Sequence, residues 1–400
     1  MDKTKRNALL SMLAQAMHSL AVLCSTGPVM QMFLSSIGFS PRYVYLLTTI
    51  AQAANIVTIF LCSQWADRGH LIKHTILAEI PQGILYLCFI PLCLWQSTSL
   101  SSFLLLTGIC AMQAVAGALY TVCNYKLPYY IYEAESYGSV LALLGLFGSL
   151  LSLLTGVLIS WLSSFLSYSQ IMLYACAISA LLMLLSALFH LLYKPVMPFP
   201  TQATLQNQEK NKFPLFTLMR YSIFRKFILS NTFRGFGYGL TTMMATIALT
   251  LGYEPWVSTM VISIQSAAVI IGCIVFGFVS KRLPLRLIIL VGSLSFAALP
   301  LLMTGNVYMF FAAFAVAIFG RTIVEHSVPS LFRYCVPAEI AGTFNGWRML
   351  LFYAGSLSAS AIATVLPIQW VLIIAVLTQV FVGIDFYTSK ELLLPKKQTR

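Results

Sequence analysis

Residues 63–73 read Ser63-Gln64-Trp65-Ala66-Asp67-Arg68-Gly69-His70-Leu71-Ile72-Lys73, a short charged island that parts two apolar runs, 42–65 and 75–95. A second island stands in the other half of the chain, Gly277-Phe278-Val279-Ser280-Lys281-Arg282-Leu283-Pro284-Leu285-Arg286, again between apolar runs. Short basic loops of this kind stay on the cytoplasmic side of a bilayer. The composition around them agrees: of 400 residues 59% are hydrophobic and 9% charged, and the mean hydropathy is +0.86. A soluble domain carries about a quarter charged residues, so the apolar excess here must face lipid. A spanning helix takes about 20 apolar residues, and roughly twelve spans with short connections use up the chain, leaving no room for a sizeable soluble domain.

The apolar runs predict spans near 7–34, 42–65, 75–95, 101–124, 139–162, 169–193, 226–251, 256–279, 286–303, 306–330, 342–366 and 369–388. The first run is too long for a signal-peptide core and lacks a small-residue cleavage site, so it counts as the first span. The expected fold class is an all-α integral membrane protein of twelve transmembrane helices in two pseudo-symmetric six-helix bundles. The N-terminal bundle is expected at 1–193, a cytoplasmic linker at 194–225, and the C-terminal bundle with a short cytoplasmic tail at 226–400. Pro195, Pro198 and Pro200 stop the sixth helix, and Arg220, Arg225 and Lys226 suit a short amphipathic segment on the inner headgroups.

The net charge of +13 is distributed along the chain rather than gathered on one domain. With both termini inside, the inner loops hold twenty Lys and Arg residues and the outer loops only Arg42. The charge therefore reports topology and contact with anionic lipid, not nucleic acid. A multi-pass protein of the plasma membrane, with both termini cytoplasmic, is expected.

The two halves also echo one another. The loops after the fourth and tenth spans open on Pro128 and Pro329 and end in Glu-x-x-Gly, Glu135 to Gly138 and Glu339 to Gly342. Transporter folds often arise by such duplication. Here the sequence resembles the major facilitator superfamily, whose members carry a G-x-x-x-D-R-x-G-R-K signature between spans 2 and 3 and a weaker copy between spans 8 and 9. Asp67 and Arg68 match its centre and Lys73 its trailing base, while Ser63 replaces the leading Gly; Gly277, Arg282 and Arg286 match in the second copy. The resemblance covers the whole chain and implies a secondary transporter that rocks between two access states. Asp67, Arg68, Lys73, Glu135, Arg282, Arg286 and Glu339 are the expected gating residues; the alternative is a set of solvated, topogenic turns.

Ionisable residues inside spans are costly and mark solute pathways. In the second half these are Arg234, Arg321, Glu325 with His326 beside it, and Arg348. At 1.5 Å per residue Arg234 and Arg321 lie about 12 and about 14 Å from the cytoplasmic ends of their spans. The resemblance implies that spans 7, 8, 10 and 11 line a central cavity. Three guanidiniums with one carboxylate suit an anionic or carboxylate-bearing solute, with Arg234, Arg321 and Arg348 as substrate contacts and Glu325 as the proton-coupling acid. The alternative for Arg321 and Glu325 is a structural i,i+4 ion pair, and Gly235, Gly237 and Gly239 mark a place where the seventh span opens. In the first half Gln15, Gln31, Gln52 and Gln113 are further substrate candidates. His18 is read as packing, Glu79 and Gln82 as support for the gate, and Gly145, Gly148, Ser152 and Gly156 as sites of close helix approach.

No cofactor or metal is expected: the nine cysteines show no C-x-x-C pair, and His70 and His74 lack a third ligand. No Walker loop, G-x-S-x-G elbow or H-E-x-x-H helix suggests an enzyme. The expected partners are a small-molecule substrate, the bilayer and H+, with the protein as a monomer. Efflux of multiple lipophilic drugs is the alternative, although Ser149 follows Gly148 where drug antiporters of the resembled family carry proline. A transporter-like membrane sensor is a third reading, from another class.

Overall fold

A computed structural model describes residues 3–25, 28–62, 71–196, 219, 222–280, 282–336 and 341–389. Asp67, Arg68 and Glu339, and most of the expected linker, lie outside the described residues, as do the side chains of Glu135 and Arg333. Among the described residues every regular element is helical, and ten helices are long and apolar enough to cross a bilayer.

The first half holds α1 (Lys3–Ser25), α2 (Pro28–Ser36), α3 (Pro41–Cys62), α4 (Leu71–Leu87), α5 (Ile90–Trp95), α6 (Leu100–Lys126), α7 (Pro128–Ile131), α8 (Ala134–Leu162) and α9 (Tyr168–Leu191). The second holds α10 (Ser222–Thr242), α11 (Met244–Thr250), α12 (Pro255–Val279), α13 (Leu285–Leu294), a 3-10 segment (Ser295–Thr304), α14 (Val307–Cys335), α15 (Ala341–Val365) and α16 (Ile368–Thr388). Starts follow local chemistry. Ser167 and Gln170 form a reciprocal capping box at α9, and Asn306 accepts from the N–H groups of Tyr308 and Met309 at α14. Gly305, at φ +73°, ends the 3-10 segment in the left-handed region.

Several expected spans are broken or shifted. The run 7–34 is seen as α1 and α2, with residues 26 and 27 between them outside the described residues. The run 75–95 divides into α4 and α5, because Pro91 has no N–H to continue the ladder. In 286–303 the α-helix gives way to 3-10 geometry before Pro300, where the Ser295 hydroxyl donates to the Gly292 carbonyl at 2.7 Å. The run 226–251 breaks at Met243. There the Gly239 carbonyl accepts from the Thr242 hydroxyl at 2.7 Å, and Met243 N–H turns to Leu240, three residues back. The loop expected from Pro329 is helix, since α14 runs on to Cys335, and α8 begins at Ala134, earlier than expected.

The three glycines of α10 do not open it; Gly235 and Gly239 let α15 approach, and Gly237 makes room for Gln379 of α16. A Cβ on Gly235 would sit 1.8 Å from the Phe352 carbonyl oxygen, and one on Gly355 would sit 1.7 Å from that of Thr232. Within the first half α1 and α4 pack against α9, and α3 and α4 against α6; within the second α10 packs against α15, and α13 against α14 and α16. Two seams join the halves, α8 against α12 and α3 against α15. Gly156 makes the first seam tight, a Cβ there falling 2.9 Å from Ile262. Apolar side chains such as Leu61, Phe278 and Leu377 cover the outer surface, as lipid contact requires.

Candidate functional site

Between the halves lies a cavity of about 550 Å³. Its walls come from α1, α6, α8 and α9 on one side and α10, α14 and α15 on the other. It lies toward the end of the molecule where α1 begins: Asn7 donates to the carbonyls of Ile131 and Lys194, and Arg6 to that of Leu192. The opposite end is closed by polar contacts between halves. Gln31 on α2 donates to the Thr242 carbonyl at 3.1 Å and accepts from the Thr246 hydroxyl at 2.8 Å. Tyr45 meets Thr250 at 3.0 Å, and Thr49 donates to Ser360 at 3.0 Å.

The second-half wall carries fixed charge. Arg234 on α10 and Arg348 on α15 line the cavity while only 6% and 1% exposed. The Arg234 guanidinium sits 5.0 Å from the centre of the Phe352 ring, and Arg348 donates from Nε to Asn345 at 3.2 Å. Glu325 and His326 on α14 share this wall. Glu325 Oε1 has no hydrogen-bond partner among the described residues. His326 takes the Thr322 carbonyl on Nδ1 at 2.8 Å, and its Nε2 faces Cys273 at 3.7 Å. A Cβ on Gly145 would lie 2.7 Å from that Nε2, so α8 closes directly over the ring.

Arg321 is not on the cavity wall. Its guanidinium lies 3.9 Å over the Tyr238 ring and donates to Thr241 at 2.8 Å. No ion pair joins it to Glu325 among the described residues, because the face of Tyr238 and the Thr241 hydroxyl take the guanidinium instead. The second-half wall therefore holds two guanidiniums, not the expected three. Of the four expected glutamines only Gln15 lines the cavity, where its Oε1 accepts from Tyr120 at 3.4 Å. Gln31 belongs to the closed end, Gln113 donates to the Gln82 carbonyl at 3.0 Å, and Gln52 lies on α3 away from the cavity. Lys73 and Arg282 are exposed. Arg286 donates to the Tyr387 and Ser389 carbonyls, satisfying the end of α16 within its own half.

The first-half wall carries titratable groups of another kind. Glu79, expected beside the gate, is fully buried two turns into α4, between α1 and α9. Its Oε1 accepts from the Ser186 hydroxyl at 2.6 Å and lies 3.4 Å from His18 Nδ1; its Oε2 lies 2.9 Å from His190 Nδ1. His18 stacks on Tyr120 at 4.0 Å between centroids, and both histidines line the cavity. His18 is thus a partner of Glu79, beyond the packing role expected for it. His190, absent from the sequence-based candidates, is the other; a histidine in an apolar run is visible in the sequence, but its pairing across 111 positions is not. Below them Tyr132 donates to Ser11, which donates to Tyr193 at 2.9 Å. Burial pushes the Tyr132 phenol up to about 12 and Tyr193 higher still, so both stay neutral hydrogen-bonding groups at ordinary pH.

The family model described as Major Facilitator Superfamily matches residues 8–360. Two solved structures of a bacterial homologue of the iron transporter ferroportin, both in the outward-facing state and one with soaked iron, share the fold. The iron-soaked one superposes with a TM-score of 0.68 at 13% identity, covering 96% of this chain and 98% of that one. The other gives 0.69 at 12% identity over the same shares. No curated protein matches the sequence. A match that runs from residue 8 to residue 360 spans most of the chain, and this protein belongs to the major facilitator superfamily of membrane transporters.

Proposed function

We propose that the chain is a secondary active transporter of twelve spans in two six-helix bundles, carrying a small anionic or carboxylate-bearing solute by alternating access with proton coupling. The observation that carries this reading is the pair of buried guanidiniums, Arg234 and Arg348, on one wall of the cavity between the halves. A guanidinium holds its charge at any physiological pH and offers a planar fork to a carboxylate. Glu325 beside them serves as the coupling acid, exchanging a proton as solute occupies the arginines. The excess of basic residues near the chain ends orients the cavity toward the cytoplasm of a plasma-membrane protein acting as a monomer. Opening of the Gln31 end, with closure around Asp67, Arg68, Lys73, Glu135, Arg282 and Glu339, completes the cycle. Arg286 is better read as an anchor for α16.

Tyr120, Tyr238, Phe352 and Tyr353 on the same cavity favour a second reading, efflux of lipophilic compounds. The iron soaked into one of the similar crystals belongs to that protein.

Thermal unfolding of the purified chain separates the readings. A ligand at about 100 times its Kd stabilises the folded state by about 2.7 kcal/mol. Stabilisation by organic anions that disappears in Arg234→Gln and Arg348→Gln, and survives in Arg321→Gln, is the expected result. Stabilisation by lipophilic cations, or by anions whatever the state of Arg234 and Arg348, overturns the anion reading in favour of efflux.

A further inference from the structure

A carboxylate buried completely inside an apolar bundle is expensive as a charge and inexpensive as an acid, so its surroundings decide whether it can change state. Glu79 has neither a lysine nor an arginine against it among the described residues; its contacts are two imidazoles and a hydroxyl. The titratable groups that face it are His18 on α1, Tyr120 on α6, and His190 and Tyr193 on and just beyond α9. Lys73 and His74, on α4 itself, lie more than one helical turn away, and Lys126 lies about 9 Å further along α6 than Tyr120. A fixed cation would lock the carboxylate in its ionised form, whereas an imidazole can both accept and donate a proton.

His190 Nδ1 also lies 3.0 Å from the Ser186 carbonyl, which only accepts, so this nitrogen carries hydrogen and donates it there, with Glu79 Oε2 2.9 Å away. A nitrogen so occupied has no lone pair for a metal. We propose that Glu79, with His18, Ser186 and His190, is a second proton-binding site, placed in the first half and reached from the cavity through the His18 imidazole. Uptake runs from cavity water to the Nε2 of His18, whose Nδ1 proton passes to Glu79 Oε1, while His190 keeps its hydrogen on the Ser186 carbonyl. The imidazole ends neutral, Glu79 ends as the acid, and the cluster has gained one proton and one positive charge.

Ser186 ties this gain to structure. Its single hydroxyl hydrogen lies within reach of two acceptors, Glu79 Oε1 at 2.6 Å and the Ala14 carbonyl of α1 at 3.0 Å. With Glu79 ionised the hydrogen goes to the carboxylate; with Glu79 protonated the acid donates to Ser186 Oγ, and the hydroxyl turns to α1. The contact between α9 and α1, a helix of the cavity wall, thus depends on the proton. As a coupling device the site rests on the alternating-access reading above; as a proton site it does not.

The test is an infrared pH titration of the full chain in lipid nanodiscs, following the carboxylic C=O band, with Trp347 emission recorded in parallel because its ring meets Phe60 across the seam between halves. The expected result is a carboxyl protonation step that persists in Glu325→Gln and vanishes in Glu79→Gln. His18→Gln and His190→Gln, which keep the carboxylate, each change its proton affinity about tenfold or more. Absence of such a step in the wild type, its survival in Glu79→Gln, or an unchanged midpoint in both histidine variants overturns the proposal, and the last of these stands even if Glu79→Gln does not fold. An emission change that tracks the same midpoint and is lost in Trp347→Phe supports coupling. A flat emission with the infrared step intact overturns the coupling role and leaves the proton site standing.

Discussion

Tyr132 shows how a single side chain carries pH dependence without carrying charge at neutral pH. Its folded pKa is raised by burial to about 12, above the ordinary phenol value. The folded state therefore holds the proton more tightly, and the stabilisation is complete below about pH 10 and lost as pH rises through about 12. Tyr132→Phe should lose the Ser11 contact, about 1 kcal/mol at pH 7, and show a shallower fall in stability across the alkaline range. The difference between the two curves there is about 2–3 kcal/mol, measured by chemical unfolding at pH 8 and pH 12; parallel curves would refute the assignment. At this scale the sequence was a fair guide to the second-half wall. Arg234, Glu325 and Arg348 are legible because a charge in an apolar run has few reasons to be there. Arg321 has the same signature and a different fate, since the ring that captures it lies on another helix. Glu79 and His190 are individually visible, but only the packing of α4 on α9 makes them a pair.

Helix breaks and helix contacts belong to the next scale. The apolar runs gave the position of most helices, while Pro91 divided one of them in a way that proline chemistry explains. The break at Met243 could not be read in the same way, because it depends on which acceptor the Thr242 hydroxyl selects. The glycines of α10 were legible as special and misread as a weak point; the purpose of Gly235 and Gly239 is visible only once α15 is set against them. Gly355→Ala should therefore force α10 and α15 apart and cost about 1–3 kcal/mol. Gly277→Ala, where a Cβ meets nothing within 4 Å, should be neutral or slightly stabilising. Thermal melts of the two variants side by side decide this, and equal melting points would show that α10 and α15 have slack between them.

For the whole molecule the decisive contrast is between its two ends. The closed end is held by a few hydrogen bonds between halves, of which Gln31 makes two. Removing two bonds of about 0.5–1.5 kcal/mol each shifts a closed-to-open ratio by about 5- to 150-fold. Gln31→Ala should lengthen the distance between spin labels at the exposed positions Ser35 and Glu254, read by pulsed electron resonance in a background without native cysteines. An unchanged distance distribution would place the closing energy elsewhere. The family and the all-helical architecture were legible from hydropathy and from the two charged islands, whereas the state of the ends was not, because it depends on contacts between residues about 200 positions apart.

The two sides of the cavity also differ in electrical kind: only the second-half wall holds permanent charges, its guanidiniums, beside Glu325 and His326, whereas the first-half wall holds imidazoles backed by the Glu79 carboxyl. If a single proton, held at either Glu79 or Glu325, travels with one monovalent anion bound at the arginines, the loaded carrier moves no net charge across the bilayer. Its cycle is then electroneutral and indifferent to membrane voltage, and each unit of pH gradient supplies about 1.4 kcal/mol to the accumulation of its cargo.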